Sequence, residues 1–335
     1  MIKRFDKTYA DIISLGNLLE AWKEFKREKG GKKDVQDFEM HLMDNILDLH
    51  QNLANFSYKH GAYHYFKISD TKPRDIHKAT VRDRILHRAI YRHLYPFFDK
   101  KFISDSFSCR LWKGTHKAMN RFKELCRKES KNNTKTIWIL KCDIRKFFAN
   151  IDHKILFQIL EKNIPDKDIL GLAEKVIESF NGTEAGKGLP LGNLTSQLFS
   201  NVYMNEFDQF VKHRLKVKSY ARYADDFVLI SSDKGELEEK VWKIDEFLQE
   251  NLKLNIHPDK IFIKTYASGM DFLGWMHFPK HRVLRTATKR RMMRNILQTE
   301  NPAVAISYLG LLSHGNGFKI KKNILEMENV KKALG

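Results

Sequence analysis

Two adjacent aspartates, Asp225 and Asp226, sit inside residues 220–231, Y-A-R-Y-A-D-D-F-V-L-I-S. The β-branched and aromatic residues on both sides predict two short strands that meet at the acidic pair. Adjacent carboxylates at a hairpin tip repel one another, and a cation relieves that repulsion. A solvated Asp-Asp turn is the plainer alternative. A third carboxylate, Asp143, ends a second β-rich run, T-I-W-I-L-K-C-D over 136–143, with Ile144 next in the chain. One strand that delivers one aspartate and one hairpin that delivers two make a candidate cluster for two hard divalent cations. Mg²⁺ suits such a set, with Mn²⁺ as a substitute, because it takes oxygen ligands and is usually held by one or two carboxylates plus phosphates. Two such ions, about 4 Å apart, activate a hydroxyl nucleophile and stabilise departing pyrophosphate. Phosphoryl transfer then asks the protein mainly for positioning and charge.

The elements that must position these groups follow from periodicity. Residues 6–29 place Ile12, Leu15, Leu19 and Trp22 at helical spacing and close on Gly30-Gly31. Asp34 is placed to cap a second helix with the stripe Val35, Phe38, Leu42, Ile46, Leu49 and Leu53. A strand over 63–68 precedes Pro73, which leaves Lys72 and Arg74 on a loop or hairpin. Helical spacing resumes over 82–98, and a polar, Gly-containing stretch (104–118) enters a basic helix that runs to about Arg127. An exposed loop is expected over 129–135. Beyond Asp143 come apolar helices near 155–160 and 169–180, with Asp152 as a cap, then a Gly-rich stretch over 181–194 and a long helix over 195–213. The order closes with an amphipathic helix (236–251), strands over 252–265 and 270–278, and a basic, mostly helical tail from Arg282. The chain shows neither an internal repeat nor a long disordered linker.

Composition narrows the partner. The chain has 335 residues, with Lys+Arg 60 against Asp+Glu 41 for a formal net charge of +19, an excess that favours a polyanion. Basic residues concentrate at 72–92, 117–135 and 280–294, with aromatics between them. The three cysteines, Cys109, Cys126 and Cys142, have no C-x-x-C spacing, so neither a zinc site nor a disulfide framework is expected. No apolar run nears the roughly 20 residues of a membrane span, and the first residues carry no signal-peptide pattern. A soluble, cytoplasmic protein that does not bind membranes is the expectation. G-x-x-x-x-G-K-[ST], H-E-x-x-H and any defensible Ser-His-Asp set are missing, which removes ATPase, zinc-protease and serine-hydrolase chemistry.

Other constellations carry two readings each. Phe148 either packs beside the sugar of an incoming nucleotide, where it would exclude a 2′-hydroxyl, or belongs to the core. The run G-L-P-L-G-N-L-T-S-Q over 188–197 either lets a nucleotide approach a helix N-terminus or is a simple capped loop. Lys260 faces a triphosphate or is merely exposed. Phe272-Leu273-Gly274-Trp275 grips a primer end or fills the core.

In this order the blocks resemble reverse transcriptases, from about Tyr63 to near Gly317. R-Y-A-D-D-F-V-L resembles the family's Y-x-D-D turn, and L-K-C-D-I-R-K-F-F-A-N-I-D-H the block of the first metal-binding aspartate and the aromatic steric gate. Arg82-Asp83-Arg84, S-F-S-C-R-x-x-K-G-T-H, the Lys260 block and F-L-G-W fall in family order. The resemblance implies an α+β, right-hand polymerase fold with an antiparallel palm sheet. N-terminal helices and fingers would take 1–135, a palm with a helical insertion (about 154–194) would take 136–280, and a thumb 281–335. It implies RNA-directed DNA polymerisation with Asp143, Asp225 and Asp226 as catalytic carboxylates and the Ile144 carbonyl as a further metal ligand. Nucleotide contacts would come from Lys72, Arg74, Arg145, Lys146, Phe147, Phe148, Leu191, Gly192, Gln197 and Lys260, and a primer grip from 272–275. Template RNA, an RNA/DNA hybrid and dNTPs are the implied partners.

Most of the family carries Q-G and then S-P where this chain has Leu191-Gly192 and Ser196-Gln197. That departure resembles the diversity-generating retroelement enzymes, which copy a template RNA inaccurately at adenines and work with a small basic accessory protein. Retron, group II intron and defence-associated enzymes are the alternative biologies. No retron-type V-T-G is present, and the C-terminal stretch is short for a maturase thumb plus endonuclease. A non-catalytic RNA-binding scaffold is the reading outside the enzyme class.

Overall fold

The computed structural model describes residues 4–69, 73–299 and 301–327. They divide into two compact units that interleave in sequence: Met1–Ser104, Ile144–Arg214 and Ile244–Ile256 in the first, Asp105–Asp143, Leu215–Lys243 and His257–Gly335 in the second.

The first unit is helix-rich. The single helix expected over 6–29 is two, Tyr9–Ile13 and Leu15–Lys26. Ser14 breaks it: its extended backbone (ψ 141°) ends one helix, and its hydroxyl accepts from the Asn17 N–H to start the next. Thr8 and Asp11 complete a capping box ahead of the first. The second expected helix also divides, into Lys33–Met40 and Leu42–Ala54. Asp34 is not its cap. It lies inside the first turn with its carboxylate taken by Lys78 (2.7 Å) and Arg84 (2.6 Å), because two cations outbid a backbone N–H for one charge. Thr80 caps the helix Val81–Asp99. Within it, fully buried Asp83 accepts from the Tyr58 hydroxyl (2.7 Å), the Thr80 hydroxyl (2.6 Å) and the Gly61 N–H (3.1 Å). The Arg82-Asp83-Arg84 block therefore anchors the chain leading into the hairpin of β1 (His64–Ser69) and β2 (Pro73–Lys78). Helices His153–Glu161, capped by Asp152 as expected, Lys167–Glu178 and Leu194–Gln209 complete this part.

The second unit is built on a four-stranded antiparallel sheet of order β4-β5-β3-β6, from β3 (Trp138–Asp143), β4 (Tyr220–Tyr223), β5 (Asp226–Ser231) and β6 (Phe262–Thr265). The strand expected from 252 shrinks to β6, since Pro258 has no N–H for a ladder and opens the tight turn Pro258–Lys260 instead. A three-stranded meander follows: β7 (Met270–Phe272), β8 (Trp275–His277) and β9 (Arg282–Leu284), the last falling where a helical tail was expected to begin.

One face of the large sheet carries Ile139, Ala221, Val228 and Ile230. Ala118, Phe122, Leu125 and Cys126 of the helix Thr115–Glu129 close over it, together with Tyr266, Met270 and Phe272. The helix meets the sheet because 118, 122 and 125–126 recur at helical spacing and form one apolar stripe. A second cluster joins Met119, Trp275 and Leu284 to Met292, Ile296, Ala305, Leu312 and Ile324 of the three C-terminal helices, Thr286–Leu297, Pro302–Leu312 and Phe318–Glu326. All three cysteines are free thiols, and no described helix is long and apolar enough to cross a membrane.

Phe122 is fully buried, and its ring meets those of Tyr266, Phe272 and His277 at 5.0–6.1 Å. Phe122→Ala should cost about 3–5 kcal/mol by leaving a cavity under the sheet. Urea unfolding measures this, and a loss below about 1 kcal/mol would place Phe122 outside the supporting core.

Candidate active site

The three aspartates meet through strand register. Asp143, the last residue of β3, is the antiparallel partner of Asp226, the first residue of β5. Such partners have side chains on one face and Cα atoms about 4.5–5.5 Å apart. Tyr223 pairs with Asp226 and closes the β4–β5 hairpin around only two residues, Ala224 and Asp225. The hairpin predicted from composition therefore exists, with Asp225 at its tip.

So tight a turn demands an unusual backbone. Ala224 has φ +55°, a left-handed conformation that costs a non-glycine residue about 1–2 kcal/mol. Arg222, 1% exposed, donates from Nη1 to the Ala224 carbonyl (3.0 Å) and from Nη2 to the Ser106 hydroxyl (3.1 Å). Hydrogen bonds from a charged donor contribute about 1.5–3 kcal/mol, enough to offset the strain. The segment around Ser106 is tied to the same strand: Arg222 N–H donates to Asp105 O (2.9 Å), and Phe107 N–H to Arg222 O (3.0 Å). Thr115 donates to the Tyr223 hydroxyl (3.2 Å) and fixes that ring on the carboxylate face.

Two lysines answer the carboxylates. Lys141, two residues before Asp143 and so on the same face of β3, lies 3.3 Å from Asp226 Oδ2. Lys260 reaches from its tight turn to Asp143 Oδ1 at 2.5 Å, and that turn is fastened to β3 by the His257 N–H on the Asp143 carbonyl (2.8 Å). Asp226 Oδ1 is buried without a hydrogen-bond partner. Burial pushes the Asp226 pKa up to about 7, Lys141 opposes the rise, and Asp143 and Asp225 add to it by like-charge repulsion. An acceptor with no donor beside two further carboxylates is the donor chemistry of a hard divalent cation. Among the described residues no three His, Cys, Asp or Glu side chains already stand in a metal-holding group; Lys141 and Lys260 draw two of the carboxylates toward themselves. The set fits a cation that shares two carboxylates with phosphate oxygens better than one caged by protein alone.

The other expected contacts are placed as follows. Lys72 lies outside the described residues, and Arg74 is exposed on β2 opposite Ile68. Arg145 and Lys146 are exposed, with Lys146 in a left-handed turn (φ +46°). The bridge pairing Ile144 with Ile256 is flanked by the bonds Arg145 N–H to Asn255 O and His257 N–H to Asp143 O, which are not those of the Ile144 carbonyl. Phe147 is 3% exposed and belongs to the core, whereas Phe148, edge-on to it at 5.2 Å, is only half-buried. Of the adjacent pair, Phe148 is the ring that can meet a ligand. Leu191 is half-buried and its carbonyl accepts from the His77 N–H (3.1 Å). Gly192 has φ +103°, and a Cβ there would stand 3.0 Å from the Ile76 side chain. Gln197 lies in the first turn of the helix Leu194–Gln209. In the 272–275 hairpin, Phe272 and Trp275 are core residues at 0% and 2% exposure. Only the tip, Leu273 and Gly274 with φ +53° and +84°, is left to touch a primer.

Sequence reasoning missed Lys141, Arg222 and Ser106. Lys141 was signalled by the two-residue strand period counted back from Asp143. Arg222 was signalled as the one charge in the strand-like run Tyr220–Tyr223. Ser106 opens the S-F-S-C-R block, but nothing in that block announces its pairing with Arg222.

Residues 59–277 match the family described as reverse transcriptase (RNA-dependent DNA polymerase). The chain belongs to that family, whose enzyme class is RNA-directed DNA polymerase, and its helices and antiparallel sheets are consistent with the right-hand polymerase fold. Among similar proteins, protein YkfC of Escherichia coli (strain K12) is 26% identical over 267 residues, covering 69% of this chain and 68% of YkfC. The group II intron-encoded protein LtrA of Lactococcus lactis subsp. cremoris is 23% identical over 309 residues, covering 72% of this chain and 49% of LtrA. The retron Ec83 reverse transcriptase of Escherichia coli is 28% identical over 116 residues, covering 32% of this chain and 36% of that enzyme. The chain thus spans about half the length of LtrA.

Because the folded protein resists ionising Asp226, metal-free protein should lose this part of its stability as pH rises from the ordinary carboxylate range through about 7. Asp226→Asn lacks the ionisation. In the presence of a chelator the variant should gain Tm over the parent between pH 5 and pH 8, and a gap that stays constant would contradict the assignment.

Proposed function

We propose that this chain is an RNA-directed DNA polymerase that copies a template RNA from dNTPs at Asp143, Asp225 and Asp226, and that it is of the diversity-generating type. The cross-strand pairing of Asp143 with Asp226 carries the first part. Divalent ions, Mg²⁺ or Mn²⁺, would supply activation of the primer 3′-hydroxyl and charge neutralisation of the departing pyrophosphate. The chain's own contribution is geometric. Asp143 and Asp225 hold the ions, with Asp226 and the Ile144 carbonyl in support. Arg222 fixes the turn that aims Asp225. Lys260, already paired with Asp143, exchanges that carboxylate for a triphosphate oxygen when a nucleotide arrives. Lys72 and Arg74 complete the triphosphate contacts, and Phe148, five residues after Asp143, sets sugar selectivity. Helices and hairpin of 1–135 would be fingers, 136–280 the palm with its insertion (about 154–194), and 281–335 the thumb.

The subtype rests on Leu191 and Ser196-Gln197. Leu191 has a carbonyl committed to His77 and a side chain without a polar atom. A glutamine there would offer the incoming nucleotide a hydrogen bond, and losing a positioned polar contact weakens discrimination between correct and incorrect partners. Inaccurate copying is what that weakness supports; its concentration at adenines, and a small basic oligomeric protein as partner, are what the resemblance to the diversity-generating enzymes implies. The similarity to LtrA and to the Ec83 enzyme supports the second reading, an intron- or retron-type enzyme.

Primer extension on an RNA template separates these outcomes. Asp225→Asn should abolish synthesis while RNA affinity stays within about twofold of the parent; a variant that still extends the primer would remove the metal assignment. Phe148→Ala should admit ribonucleotides, and unchanged sugar selectivity would remove its role. Sequencing the cDNA should find errors concentrated at template adenines and fewer of them in Leu191→Gln. An equal error frequency in both would favour the second reading.

A further inference from the structure

The second unit holds a cavity of about 440 Å³ that shares no residue with the aspartate site. Its walls are the helix Thr115–Glu129, the turn between β8 and β9, and the loop 313–316. Lys123, Lys280 and Arg282 line it with His277, His281 and His314, and no acidic residue does. A cavity walled by a half-buried guanidinium, with two lysines at its rim and no carboxylate, favours an anion.

Arg282 shows that preference most directly. Its Nε donates to the His314 carbonyl, Nη2 donates to Asn120 (3.0 Å), and the guanidinium lies over the Trp275 ring at 5.9 Å. Nη1 is buried with no hydrogen-bond partner, a charged donor left unmet at the cavity wall. The neighbouring imidazoles have adjusted in the same sense. His277 is driven down to about 4, chiefly by burial and also by Arg282. His116, stacked on His314 at 3.5 Å, is lowered by burial and by both His314 and Arg282.

We propose that this cavity is a phosphate-binding site distinct from the aspartate centre, and that a nucleic-acid backbone supplies the phosphate. Arg282 Nη1 donates to the bound oxygen, and Lys123 and Lys280, exposed at the rim, hold the phosphates that flank it. The site anchors a strand away from the reacting end, so its loss weakens RNA binding without touching the carboxylates. The phosphate chemistry stands without the polymerase reading; supply by RNA rests on it.

Arg282 ties the 313–316 loop to Asn120, so the test uses the rim. In the full chain, titration of inorganic phosphate should shift the His281 and His314 resonances, and Lys123→Ala/Lys280→Ala should remove those shifts. With a fluorescent single-stranded RNA, the same variant should bind more weakly and lower the slope of log K against log salt by about 1.4, two contacts at about 0.7 each. The Lys123→Arg/Lys280→Arg variant should restore the slope. Lost phosphate shifts with an unchanged RNA slope would overturn the backbone as the source and leave a free-phosphate site. Parent and variant with the same phosphate response would overturn the site itself. Primer extension by the Ala variant at low salt reports on the aspartates separately.

Discussion

Mutual repulsion of three carboxylates is the constraint on which the second unit depends. Antiparallel register puts Asp143 beside Asp226, and a two-residue turn sets Asp225 next to Asp226. Burial pushes the Asp226 pKa up to about 7, and the neighbouring charges of Asp143 and Asp225 add to the rise. The fold must hold the groups together against that repulsion. It does so with a sheet packed on the helix Thr115–Glu129, a buried arginine under the turn, and two lysines that each take one carboxylate.

The lysines explain how the site can exist before substrate arrives. Removing both would leave uncompensated, partly buried charge, which is strongly destabilising. With both in place Asp226 Oδ1 still lacks a partner, so compensation is incomplete, and the remainder would favour a cation in the proposed site. Stability and function draw on the same electrostatics with opposite sign. A site made fully comfortable by one more lysine would have no need of a metal.

The local elements were legible where short-range chemistry decides. Asp143, Asp225 and Asp226 stood out because each interrupts an apolar strand pattern, and Asp152 because a capping residue precedes an apolar run. Asp34 misled because its partners, Lys78 and Arg84, are 44 and 50 residues away in sequence. Ser14 split a helix that periodicity drew as continuous, since hydrophobic spacing survives a break of one residue. Phe272 and Trp275 had the composition of a ligand grip, yet Phe272 is buried by the earlier helix Thr115–Glu129 and Trp275 by Met119 of that helix and by the helices that follow it. Arg222 was visible as a charge, but its role depends on a strained Ala224 that no pattern announces. The family resemblance carried the order of the blocks, and the structure then separated Phe147, which is core, from Phe148, which is not.

The central claim of the proposal is that Asp143 and the Asp225–Asp226 turn bind cations together because the register of β3 and β5 sets Asp143 beside that turn. Titration of Mn²⁺ into the full chain, followed by electron paramagnetic resonance, tests it without reference to turnover. Binding should tighten as pH rises through about 7, where Asp226 ionises, and Asp143→Asn should weaken it at least tenfold. Binding that ignored pH over that range and survived Asp143→Asn would contradict the account.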